Sequence, residues 1–173
     1  EPIELQSLND LIGPNGSGKS NVIEVLELLR ATPTDFASAI RDGGGASEWL
    51  WKGENPQKPA TIEVETGSTT PTGLPLRYRL EFTSANNRVE ILDEAIEDKD
   101  SDPLDDDPSF YYLFQRGHPM FKVKGQGLEG GIFEKHLKRD DLLPDQSVLA
   151  QHKLRWSHIV GQFGSSVKVY SGV

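Results

Sequence analysis

Gly13-Pro14-Asn15-Gly16-Ser17-Gly18-Lys19-Ser20 fits the pattern G-x-x-x-x-G-K-[ST], the spacing of a phosphate-binding turn. In such a turn a strand bends sharply into a helix, and successive backbone N–H groups point at one phosphate. Side chains would block that approach, so glycines are needed at Gly13, Gly16 and Gly18. The helix that starts near Lys19 adds unsatisfied N–H groups and its positive dipole end. Lys19 supplies a mobile charge for the β- and γ-phosphates, and the Ser20 hydroxyl can complete the shell of a Mg²⁺ ion. The four fixed positions match by chance in roughly 1% of chains this long, from average residue usage.

The flanks suit that chemistry. Leu8-Asn9-Asp10-Leu11-Ile12 is a short apolar run and predicts a strand entering the turn. Residues 20–30 predict a helix. Glu24 and Glu27 share one face, Arg30 follows, and Val22, Ile23, Val25, Leu26, Leu28 and Leu29 cover the rest. A helix this apolar is expected to be buried on most sides. Thr32-Pro33 ends it, a second helix is expected over 34–41, and Gly43-Gly44-Gly45 stops that one.

Further along, the period changes to two. Ile62 and Val64 alternate with Thr61, Glu63 and Glu65; Tyr78, Leu80 and Phe82 alternate through 77–83. Ala85-Asn86-Asn87 is turn chemistry, and 89–96 is expected to be a third strand. Residues 97–108 read as a solvated acidic loop. Residues 110–115 and 120–124 are expected to pair through Arg116-Gly117-His118-Pro119. The chain thus divides into a strand–helix segment over 1–59, an antiparallel β-subdomain over 60–124, and a helical segment with a final strand over 125–173. In the last of these, 125–131 is a loop, Asp145 caps a helix running to His152, a further helix covers 156–163, and a strand covers 167–170.

The 173 residues amount to about one domain of chain, without cysteine, so disulfide scaffolds and thiol chemistry are excluded. The net charge is −9. Residues 90–107 hold ten acids and one base; the other 155 residues hold 17 of each. A basic nucleic-acid footprint is therefore missing. No apolar run approaches the roughly 20 residues of a membrane span, and Glu1-Pro2-Ile3-Glu4 does not resemble a signal peptide. A soluble, cytoplasmic protein with no membrane partner is the expectation.

Leu11-Ile12-Gly13-Pro14-Asn15-Gly16-Ser17-Gly18-Lys19-Ser20-Asn21 closely resembles the Walker A segment of ABC-type ATPases of the SMC/RecF/OLD group, which includes many bacterial RecF-like "AAA family" ATPases. Arg41-Asp42-Gly43-Gly44-Gly45, followed by Trp49-Leu50-Trp51, is similar to that group as well. Asp10 departs from it, because the group has an aliphatic residue there. The resemblance implies an α/β P-loop NTPase lobe, ABC/SMC-head-like, with an antiparallel β-subdomain. It implies ATP and Mg²⁺ as cofactors, with Gly13, Pro14, Asn15, Gly16, Ser17, Gly18, Lys19, Ser20 and Asn21 lining the cradle and Ser20 on the metal. In this group two heads sandwich two ATP molecules, and hydrolysis opens the sandwich. That motion drives DNA remodelling or gates an effector, often a nuclease. A second copy of the head, a C-terminal lobe, and DNA or a nuclease are the partners implied.

Hydrolysis also needs a Walker B carboxylate pair and a signature motif. Ile91-Leu92-Asp93-Glu94 is a tempting match, but Glu90 breaks the apolar run and the segment pairs naturally with 77–83, as an edge strand with solvated acids. No Leu-Ser-Gly-Gly-like signature occurs, and residues 1–7 are too short for the group's first strand. The expectation is an N-terminal lobe, an ATPase in the complete protein and inactive alone. The group's Q-loop glutamine, which contacts Mg²⁺, has Gln146 as a candidate, with Gln151 and Gln115 beside it.

Other residues take bland readings. His118, His136, His152 and His158 lack metal-site spacing, and Gly16-Ser17-Gly18 lacks the spacing of a nucleophile elbow. Trp49 and Trp51 are expected to pack on the sheet rather than stack a base, and Lys135, Lys138 and Arg139 to sit on a solvated helix face. Two alternatives stay open: a non-hydrolysing, nucleotide-dependent scaffold, and a P-loop kinase or GTPase, the latter without an Asn-Lys-x-Asp motif.

Overall fold

The structure, a computed structural model, describes residues 3–6, 9–53, 58–66, 75–99, 110–115, 117–124 and 132–152. The helix expected at 156–163 and the strand at 167–170 lie outside these residues.

The helix after the glycine-rich turn forms as α1, Lys19–Ala31. Thr32 closes it: its backbone N–H reaches Leu28 O and Leu29 O, and its Oγ1 donates to Leu29 O at 2.7 Å. Only Leu28 and Leu29 of α1 are buried, while Val22, Ile23, Val25 and Leu26 are half-buried. The expectation of a helix covered on most sides is therefore corrected. Among the described residues its second half, from Val25 to Leu29, packs against the core. The next helix is α2, Phe36–Asp42, capped by Asp35, whose Oδ1 accepts from Ser38 N at 2.9 Å. Phe36, Ala37 and Ile40 of α2 are buried. Gly44 and Gly45 turn the chain at φ of 98° and 94°, values that L side chains resist, and a short unforeseen helix, α3 (Ala46–Trp49), follows.

Six strands make one antiparallel meander: β1 Ala60–Thr66, β2 Leu76–Ala85, β3 Arg88–Asp98, β4 Phe110–Gln115, β5 His118–Lys124 and β6 Ile132–His136, hydrogen-bonded in chain order. Alternation explains which face is buried. Ile62, Tyr78, Leu80, Phe82, Tyr112 and Phe121 point into the core, and the helices cover that face. Phe36 meets Phe82 edge-on, ring centroids 5.4 Å apart, and His152 meets Phe121 at 5.2 Å. Asn86 and Asn87 make the β2–β3 turn at φ of 52° and 60°, the left-handed conformation that Asn tolerates.

Several expectations are corrected. Residues 9–12 are not a strand: they pair with nothing in the sheet, and Ile12 is 88% exposed. A strand needs a neighbour to take its N–H and C=O groups, and none of the six strands of the meander pairs with residues 9–12. The β4–β5 turn is shorter than expected, because Gln115 pairs with His118. The sheet continues past 124 into β6, so Lys135 lies on a strand rather than a helix face. The acids at 97–98 belong to β3, not to a loop. The cap of the next helix, α4 (Val148–Gln151), is Ser147 rather than Asp145; its Oγ accepts from Leu149 N at 3.1 Å.

Nor is β3 an edge strand with solvated acids, since β2 and β4 flank it. Asp93 accepts from Arg79 at 3.1 Å, and Glu97 pairs with Arg77 at 2.6 Å. Cross-strand pairs of this kind, partly exposed, each contribute a few tenths of a kcal/mol up to ~1 kcal/mol. Trp49 packs against the core, but Trp51 is 69% exposed, so the expectation that both pack on the sheet holds for one only.

Candidate phosphate-binding site

Residues 13–17 form an exposed turn ahead of α1. Ser17 N donates to Pro14 O at 3.3 Å, which folds the turn back on itself. Gly16 and Gly18 adopt φ of 80° and 86°. A Cβ at either would meet nothing within 4 Å, so backbone conformation, not crowding, demands glycine there. At Gly13 the reason is different: a Cβ would come within 2.8 Å of Ser17 Oγ.

Gly18 is the N-cap of α1, and no side chain caps the helix. The first N–H groups of α1 are therefore open to an anion. Lys19 turns back over the loop: its ammonium donates to Gly13 O at 2.6 Å, to Pro14 O at 2.8 Å and, at 3.4 Å, to Ser17 Oγ. One charged group thus ties together both ends of the eight-residue turn. Ser20 and Asn21 lie exposed in the first turn of α1. The donor set is a cation, a hydroxyl and backbone N–H groups with no carboxylate hydrogen-bonded to it among the described residues. It fits a nucleoside triphosphate with its Mg²⁺.

The remaining sequence candidates lie elsewhere. Asp93 and Glu94 are held in the meander, as their pairing with 77–83 requires. Gln146 bridges two elements: its Oε1 accepts from Phe36 N at 3.1 Å and its Nε2 donates to Asp35 Oδ1 at 2.9 Å. That bond, with the one from Ser38 N, holds the Asp35 carboxyl below its ordinary range. Gln151 binds Leu143 N at 2.7 Å and Gln146 O at 2.7 Å, closing the loop before α4.

Sequence reasoning missed a buried polar cluster. Glu94 is 2% exposed. Its Oε1 accepts from Tyr78 Oη at 2.8 Å and from Ser147 Oγ; its Oε2 accepts from Val148 N at 2.9 Å. Burial, only partly offset by these donors, raises its pKa to about 6. Burial also raises the Tyr78 hydroxyl well above its ordinary value, with the Glu94 charge adding to it. The missed signal was the step in register between Glu81 and Phe82, which puts Glu94 on the inward side.

A glycine-rich turn closed by its own lysine, ahead of an uncapped helix and beside an antiparallel sheet, belongs to P-loop ATPase-type domains. The chain belongs to the family described as "AAA domain, putative AbiEii toxin, Type IV TA system", whose model matches residues 8–165. AAA domains are ATPase domains and generally bind ATP and Mg²⁺. No curated protein and no solved structure matches the chain. Among the described residues no helix is long and apolar enough to cross a membrane.

Proposed function

We propose that the chain is the ATP-binding lobe of an SMC/RecF/OLD-like ATPase head, whose engagement with a second head and hydrolysis of ATP drive DNA remodelling, DNA repair or a defence effector. The observation that supports it most is the Lys19 ammonium folded over a turn that carries two glycines at positive φ, ahead of an uncapped helix start. Gly13, Pro14, Asn15, Gly16, Ser17, Gly18 and Asn21 line the cradle, Lys19 binds the β- and γ-phosphates, and Ser20 takes Mg²⁺. Bound Mg²⁺ would neutralise phosphate charge; the chain's own part is to hold and orient the triphosphate. The family description, which names a toxin of a toxin–antitoxin system, supports the effector branch of this reading.

The carboxylates for hydrolysis come from a second lobe or partner head, because Asp93 is paired with Arg79 and Glu94 is buried against Tyr78, Ser147 and Val148. That same observation favours, as a second reading, a scaffold that binds nucleotide without turning it over. Phosphate release separates the readings. The purified chain should release phosphate from ATP no faster than its Lys19→Ala variant, and adding the complementary lobe should raise the rate. Robust turnover by the chain alone would overturn the assignment of catalysis to another lobe. Binding without turnover in the complete protein would select the scaffold.

A further inference from the structure

The loop before α4 and the inner face of β3 and β4 enclose a cleft of about 550 Å³, within the range of small-molecule sites. None of residues 13–21 lines it. Tyr112 and Phe114 provide aromatic walls, and Leu142 and Leu143 provide aliphatic ones. Glu94 also lines it, almost wholly buried. The other charged lining groups are Glu90, Asp140 and Asp145, against Arg88 alone.

Glu94 is satisfied by hydrogen bonds but not by charge. Its three donors are neutral: a phenol, a hydroxyl and a backbone amide. No cationic side chain forms a salt bridge with it among the described residues. Taking a carboxylate out of water without a counter-ion is costly unless something positive joins it. Oε1 already accepts two bonds and Oε2 one, so a single acceptor position is left, on Oε2. One position suits a point-charge donor better than the two-pronged fork of a guanidinium. Aromatic walls favour the same charge and an apolar stem.

We propose that this cleft binds a primary ammonium carried on an apolar stem, with Glu94 as its counter-ion. The chemistry is shared by small alkyl- and arylalkylamines and by a lysine side chain presented on a peptide.

The test is calorimetric titration of the chain at pH 7.5 and low ionic strength, where Glu94 is ionised. The probes are phenethylammonium, its neutral isostere 2-phenylethanol, and N-acetyl-lysine N-methylamide. Phenethylammonium should bind at least tenfold more tightly than the alcohol, and Glu94→Gln should remove that difference. Arg88→Glu, on the exposed rim, should tighten the ammonium about threefold, and it keeps the test open if Glu94→Gln does not fold. The tighter of the two amines then identifies the source, free amine or lysine side chain. Equal binding of amine and alcohol, or no binding of either amine by folded chain, would overturn the proposal. So would an ammonium affinity unmoved by both substitutions.

Discussion

Lys19 shows how much one side chain can do before any ligand arrives. Its ammonium spans from α1 back to Gly13 and Pro14, so the residue that would hold phosphate also holds the turn in shape. Gly18→Ala would force a Cβ onto a residue at φ 86°. We predict a stability loss of about 1 kcal/mol by thermal melting, and a loss of nucleotide binding well beyond what that strain explains. Glu94 makes a different prediction at the same scale. Its folded pKa, about 6, lies above the ordinary 4.5. The stabilisation linked to its proton is therefore fully present below pH 4.5 and lost as pH rises through 6. The shift corresponds to something on the order of 1–2 kcal/mol. Compared with wild type, Glu94→Gln should narrow the stability difference between pH 5 and pH 7.5 in denaturant melts. An unchanged difference would mean that Glu94 does not titrate in that window.

The elements were legible where period and turn chemistry agreed. α1 begins where Lys19 puts it, and β1 and β2 alternate as Ile62, Tyr78, Leu80 and Phe82 suggest. The β2–β3 turn was visible in Asn86-Asn87 because few residues accept its φ values. Two steps in register, at Glu81/Phe82 and Ile96/Glu97, hid Glu94 and the end of β3, since a bulge shifts the phase that alternation reads. The apolar run at 8–12 misled because composition shows what a strand would bury, not whether a neighbour exists to pair with. The glycine-rich turn and the helix after it were legible, since the positive φ at Gly16 and Gly18 is a local demand, but the strand expected to enter the turn was not found. The Gln146 bridge was not legible, because its partners Asp35 and Phe36 are more than 100 positions away. Gln146→Ala should lower stability by about 1–2 kcal/mol in a denaturant melt, through the lost bond to the part-buried Phe36 N–H. If Gln146 acts only as this bridge, the thermal shift given by MgATP should survive the substitution. A selective loss of its Mg²⁺ dependence would instead support the Q-loop role.

At the scale of the molecule, a phosphate cradle stands on a helix whose first half is only partly covered, next to an open six-stranded antiparallel meander. Family and geometry agree on an ATPase-type domain, and the central claim is that residues 13–21 form a working nucleotide cradle. The direct measurement is the melting temperature of the chain with and without MgATP, beside Lys19→Ala. A ligand that binds only the folded state stabilises it by mass action, by about 2.7 kcal/mol at a hundred times its Kd. The predicted result is a melting temperature that rises with MgATP in the wild-type chain and stays level in Lys19→Ala. A folded chain whose melting temperature ignores MgATP, or rises equally in the variant, would contradict the cradle.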